Sequence, residues 1–137
     1  MTRIAGLDVG QNTVGIALSD PLLLTAQGLT TLKRNELEKD IDNLLKILQE
    51  NEVSLIIIGF PKNMNGSLGP AAKKVKEFAE ALYDASSIPF KYWDERLSTV
   101  SAQRVLLDAD LSRRKRKKVI DKLAAVVILQ NYLDGLN

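Results

Sequence analysis

Two stretches near the start of the chain, Arg3 to Val9 and Val14 to Ser19, are apolar and rich in strand-forming residues. The Gly10-Gln11-Asn12-Thr13 link between them is short enough for a hairpin. A third strand is expected over Thr25 to Leu32. The period then changes: Leu37, Ile41, Leu44, Leu45 and Leu48 recur at helical spacing after Asn35, whose side chain suits an N-cap. Val53 to Ile58 (VSLIII) is a continuous apolar run closed by Gly59, the pattern of a strand buried on both faces in the middle of a sheet. A loop from Phe60 to Gly69 leads to Pro70, suited to a first helical turn, and Val75, Phe78, Ala79 and Leu82 give the next helix its buried stripe. Pro89 to Asp94 reads as a fifth strand. Ser98 is placed to cap a helix through about Ala109, and a last helix is expected from about Lys118 to Leu133, after a basic segment.

Three strands on short connections, then helix, strand, helix, strand, helix, predict an α/β fold. The expected sheet is mixed and five-stranded, with three antiparallel strands followed by alternating helices and parallel strands, and with helices on both faces. Ribonuclease H-like folds have this order. A length of 137 residues suits one domain, 1–137, and 45% apolar with 26% charged residues is the balance of a chain that folds alone. The start of the chain lacks a leader pattern and no eighteen apolar residues run together, so a soluble cytoplasmic protein with no membrane partner is expected.

Composition also narrows the chemistry. The chain has no cysteine and no histidine, which excludes thiol nucleophiles, Ser-His-Asp triads and Cys/His zinc sites. Catalysis falls to carboxylates, hydroxyls, lysine or a bound metal. The net charge of +2 is neutral on the question of a polyanionic partner. The run RRKRKK at 113–118 is not: it reads either as a solvated segment or as a phosphate-contacting arm.

Three acidic positions stand out. Asp8 shares a strand face with Ile4 and Gly6, opposite Ala5, Leu7 and Val9, where an apolar residue is expected. A desolvated carboxylate there needs a hydrogen bond, an ion pair or a metal, although an aspartate capping the adjacent turn would also account for it. Asp121 has Ala124, Ala125 and Ile128 at helical spacing behind it, a small apolar surface suited to packing on the sheet. A carboxylate favoured by a helix N-terminus explains the residue type there better than the face. Asp94 and Glu95 end the fifth strand and, if it stays extended, point to opposite faces, so only one of them can join a shared site. Carboxylates converging from these places require a compensating charge. A hard divalent ion such as Mg²⁺ supplies it and can align attack on a phosphodiester.

Four ordered motifs carry a resemblance over nearly the whole chain: GLDVGQNTVGIALSD, IGFPKNMNGSLGP, DERLST and KKVIDKLAAVVILQNYLD. Together they resemble the YqgF/RuvX family, described as pre-rRNA nucleases or Holliday junction resolvases. The resemblance implies a ribonuclease H-like nuclease that uses Mg²⁺ or Mn²⁺ to process the ends of pre-16S rRNA in ribosome biogenesis, with branched DNA as the alternative substrate. Its catalytic and metal-binding set falls here on Asp8, Glu95 and Asp121; the choice of Glu95 over Asp94 comes from the resemblance alone. Family members commonly carry a basic residue in the first hairpin turn, where this chain has Gln11, Asn12 and Thr13. Asp20 and Asp94 are considered as a fourth ligand, and neither is assigned. Lys62, Asn63 and Asn65 in the loop after the fourth strand, Arg96, and the basic residues Arg113, Arg114, Lys115, Arg116, Lys117 and Lys118 are the expected nucleic-acid contacts. Tyr92 and Trp93 stay unassigned between core and base stacking.

Two other classes compete. Actin-like and sugar-kinase ATPases also place an Asp-x-Gly strand and turn against phosphate, but they close two lobes, and no second glycine-rich hairpin exists here. A non-catalytic nucleic-acid-binding module would explain the basic run and the uncharged turn, yet it gains nothing from carboxylates facing phosphate. A resolvase acts through two symmetry-related sites and so as a homodimer, whereas an RNA-trimming nuclease can act as a monomer.

Overall fold

The computed structural model describes residues 2–61, 69–94 and 113–136, the last segment with side chains from Lys122 onward. The helix expected between Ser98 and Ala109 lies outside the described residues, as do Lys62, Asn63, Asn65, Glu95 and Arg96. Chain order is β1 (Arg3–Val9), β2 (Thr13–Ser19), β3 (Ala26–Lys33), α1 (Leu37–Glu50), β4 (Val53–Phe60), α2 (Pro70–Ser86), β5 (Phe90–Asp94) and α3 (Arg113–Leu136). The five strands form one sheet in the order β3-β2-β1-β4-β5. β1 pairs antiparallel with β2 and β2 with β3, while β4 runs parallel to both β1 and β5. The first strand of the chain is therefore the central one.

Alternation along the strands sorts the core into two faces. Ala5, Leu7, Val14, Ile16, Ile56 and Ile58 pack with the buried stripes of α1 and α2. Ile4, Ala17 and Ile57, one residue out of phase, pack with Ala124, Ala125, Ile128 and Leu129 of α3. The apolar run in β4 is thus buried on both sides, as its lack of alternation predicts.

Side-chain size along one row of the sheet sets how closely α3 approaches. Gly28, Ala17 and Gly6 lie side by side across β3, β2 and β1. A Cβ built on Gly6 would fall 2.7 Å from the Leu129 Cβ and 2.9 Å from the Ala125 carbonyl oxygen. At Gly28 it would fall 2.6 to 3.2 Å from the methylene stem of Lys122. The helix rests on main chain at these points, with no room for larger residues.

Two expectations are corrected. α3 begins at Arg113, so the basic residues form its first turns rather than a segment before it. A run with no apolar positions carries no helical periodicity to read, although Arg and Lys are good helix formers. The N-cap of α1 is Glu36, with no side-chain capping bond, and not Asn35. Asp40, in the first turn, instead reaches back so that its Oδ1 accepts the Asn35 N–H at 2.8 Å. Leu37 consequently lies before the buried stripe and is exposed, leaving Ile41, Leu44 and Leu48 to fill it.

Candidate active site

Asp8 lies next to last in the central strand, buried at 6% exposure. Its cross-strand partner is Gly15, and its face is that of Ile4 and Gly6, the face that α3 covers. Because Gly15 has no side chain, the lateral neighbour of the carboxylate on β2 is bare backbone. Asp8 is engaged with neighbouring groups in the fold, so its burial is compensated.

On α3, Asp121 stands one turn before Ala125, the residue whose carbonyl oxygen overlies Gly6. Asp8 follows Gly6 by two residues on the same face of β1. On β5, Trp93 packs into the α3 face against Tyr132, whereas Tyr92 packs into the opposite face, stacked on Phe60 with ring centroids 4.5 Å apart. Asp94, opposite Phe60 in the parallel ladder, shares the Tyr92 face, away from α3 and Asp8. The two aromatic side chains are packing residues. Among the described residues no three acidic side chains cluster at metal-ligand spacing, and Asp8 is the member of the expected trio whose side chain is described.

Asp20 is used elsewhere. Its Oδ1 accepts the N–H groups of Leu24 and Thr25 at 2.7 and 2.8 Å, and its Oδ2 that of Leu22 at 3.2 Å, closing the loop between β2 and β3. The Thr25 N–H, with help from Leu24 and Leu22, holds the carboxyl below its ordinary value against a weaker opposing effect of desolvation. Tyr92 moves the other way: burial, and then the negative charge of Glu80, push its phenol above the usual range.

One functional candidate escaped the reading of the sequence. The first hairpin turn carries no cation of its own, but Arg34, just beyond β3, is folded onto it. Its Nη1 donates to the Gly10 carbonyl at 2.9 Å and its backbone N–H to the Asn12 carbonyl at 2.8 Å. Its guanidinium lies 5.2 Å from the centre of the Phe78 ring, with Nε 3.5 Å from Asp40 Oδ2. The available signal was Asp40 itself, a charged residue one turn ahead of Leu44 on an otherwise apolar stripe, which asks for a buried cationic partner.

Comparison with known proteins then decides the family. The model of the family described as RuvX, Holliday junction resolvase, matches residues 2–135. The chain belongs to the RuvX family. It is accordingly a nuclease, with the ribonuclease H-like fold expected of that family. A relative from Thermoanaerobacter pseudethanolicus, named as a candidate pre-16S rRNA nuclease, is 61% identical over 97% of this chain and 96% of its own. One of the same name from Clostridium novyi is 56% identical over 98% and 99%. Among solved structures, Thermus thermophilus RuvC in complex with a Holliday junction substrate superposes with a TM-score of 0.62 at 14% identity, covering 99% of this chain and 96% of that one. Fowlpox virus resolvase with junction DNA gives 0.58 at 12% identity, covering 98% and 99%. At that identity the likeness of this RuvX chain to RuvC and the viral resolvase is one of fold. Among the described residues no helix is long and apolar enough to cross a membrane.

Proposed function

We propose that this RuvX-family chain is a divalent-metal-dependent endonuclease of the cytoplasm that hydrolyses phosphodiesters at the ends of pre-16S rRNA, acting as a single domain. Asp8, Glu95 and Asp121 are its catalytic and metal-holding carboxylates. The observation that carries the reading is the buried Asp8 near the end of the central strand, on the face covered by the helix that bears Asp121. The names of the two bacterial relatives support RNA as the substrate.

The donor set fits a hard cation. Asp8 offers anionic oxygens in a buried position beside bare backbone, and a chain without histidine or cysteine has no imidazole or thiolate ligand to compete. A bound Mg²⁺ or Mn²⁺ supplies charge stabilisation at the phosphate and a more acidic water. The central strand holds Asp8 in place, with both neighbouring strands hydrogen-bonded to β1, so its carboxylate is pre-positioned instead of being recruited by substrate. Asp94 shares the Tyr92 face, away from Asp8, and the family resemblance favours Glu95 as the second acid. Lys62, Asn63, Asn65, Arg96 and the six basic residues Arg113 to Lys118 are proposed to hold the phosphate backbone of the substrate.

The test is cleavage of a pre-16S rRNA fragment and of a four-way DNA junction, each with Mg²⁺ and with EDTA. Metal-dependent trimming of the RNA, lost in Asp8→Asn, is expected. The family description favours the junction as the second reading; junction cutting by a dimer with the RNA left intact would establish it. If both substrates bind but neither is cut by the unaltered chain, the chain is a binding module and the proposal is wrong.

A further inference from the structure

A cavity of about 300 Å³ opens between the first hairpin turn and the start of α2, with Val9, Gln11, Arg34, Pro70, Ala71 and Lys74 in its lining. Among the described residues its polar side chains are Gln11 and the cations Arg34 and Lys74, with no carboxylate in the lining. Within the described residues, two of the five guanidinium N–H donors of Arg34 are spent on Gly10 and Asp40, leaving three for a ligand. Lys74 has no ion pair among the described residues.

The adjoining helix end adds to this imbalance. α2 has no side-chain cap at Gly69 and no acidic residue in its first turn, and Lys73 and Lys74 follow closely. Cations at the positive end of a seventeen-residue helix repel the macrodipole, an arrangement that a bound anion reverses. Val9 lines the cavity while Asp8, the residue before it, faces the other side of the sheet. The cavity and the proposed catalytic carboxylate thus flank the end of one strand.

We propose that this cavity is a phosphate-binding pocket in which Arg34 and Lys74 hold a backbone phosphate of the substrate strand, near the scissile one. The proposal rests on the nuclease reading for the identity of its ligand, a nucleic-acid phosphodiester. The pocket itself is testable with inorganic phosphate. Arg34, fixed by the Gly10 carbonyl and the Phe78 ring, is the rigid half of the pair. Lys74, on the exposed side of α2, is the half that can be removed without disturbing the fold.

The experiment compares the unaltered chain, Lys74→Gln, and Lys46→Gln as a control that removes an equal charge from the exposed face of α1. Phosphate titration followed by amide NMR should shift Ala71 and Ala72 saturably in the unaltered chain and in Lys46→Gln, with affinity several-fold weaker in Lys74→Gln. RNA binding measured in EDTA should lose about one from its logarithmic salt slope in Lys74→Gln only. In cleavage assays the same variant should raise KM several-fold at unchanged kcat. Stationary Ala71 and Ala72 amides, or identical behaviour of the two lysine variants, would overturn the pocket. Saturable amide shifts in a chain that cuts no nucleic acid would uphold the pocket and sink the nuclease reading instead.

Discussion

The carbonyl oxygen of Ala125 lies 2.9 Å from the point where a side chain on Gly6 would begin. Main chain from α3 therefore sits directly on main chain of the central strand, and neither can yield without moving the other. Gly6→Ala is expected to cost about 2 kcal/mol or more by forcing the helix off the sheet. Gly28→Ala, which meets the flexible stem of Lys122, should cost less than half as much. Urea denaturation of the two variants against the parent gives the comparison, and equal losses would show that α3 does not rest on Gly6 as described.

Metal binding should appear as stability before it appears as catalysis. If Asp8 is a ligand, Mg²⁺ at a hundred times its dissociation constant raises the unfolding free energy of the unaltered chain by about 2.7 kcal/mol. Asp8→Asn, which keeps the shape and removes the charge, should show little of that gain and lose more than about a hundredfold in cleavage rate. Thermal melts with Mg²⁺ and with EDTA separate the two chains. An Asp8→Asn protein that Mg²⁺ stabilises as much as the parent would remove Asp8 from the metal site.

Asp20 makes stability depend on pH in the acid range. Its carboxyl titrates below the ordinary 3.8 in the folded chain because the Thr25, Leu24 and Leu22 N–H groups favour the ionised form. With the folded value depressed, the unfolded chain takes up the proton first. The contribution is therefore complete above about pH 4 to 5 and is lost as pH falls through 3.8 toward the lower folded value. Denaturant midpoints measured from pH 6 down to pH 2.5 should fall more steeply in the parent than in Asp20→Ala. Parallel curves would show that the loop does not depend on the ionised carboxylate.

Asp40 holds two things at once, the Asn35 N–H and one edge of Arg34. It is 5% exposed, so Asp40→Ala takes the acceptor from the Asn35 N–H and leaves the largely buried Arg34 guanidinium without its carboxylate, at a cost of about 2 kcal/mol. Asp40→Asn retains an acceptor for Asn35 and should lose about half of that. If calorimetry finds the alanine variant as stable as the parent, the reach from α1 back to the hairpin contributes no stability.

Much of this arrangement was written locally. The phase of Ile4, Gly6 and Asp8 against Ala5, Leu7 and Val9 assigns the Asp8 face, and that is the face α3 covers. The unbroken apolar run of β4 marks an interior strand for the same reason of side-chain period. What stayed hidden depends on residues far apart in the chain. Gly28, Ala17 and Gly6 look like three unrelated weak strand residues until the register places them in one row beneath α3. Arg34 looks like an ordinary surface cation until Gly10, Asp40 and Phe78 surround it. The start of α3 was misplaced because six basic residues offer no apolar stripe, and helix propensity there outweighs mutual repulsion of the charges.

Because β1 precedes α3 with every other described strand and helix between them, the ribosome releases Asp8 long before it adds the helix that bears Asp121. A nascent or prematurely terminated chain can zip β1, β2 and β3 together, since their turns are local, but it lacks the covering for Ile4 and Ala17. Such a fragment would be sticky. With Asp121 proposed as one of the acids of the site, cutting competence would arrive only once α3 has been added, which spares the cell a half-made nuclease.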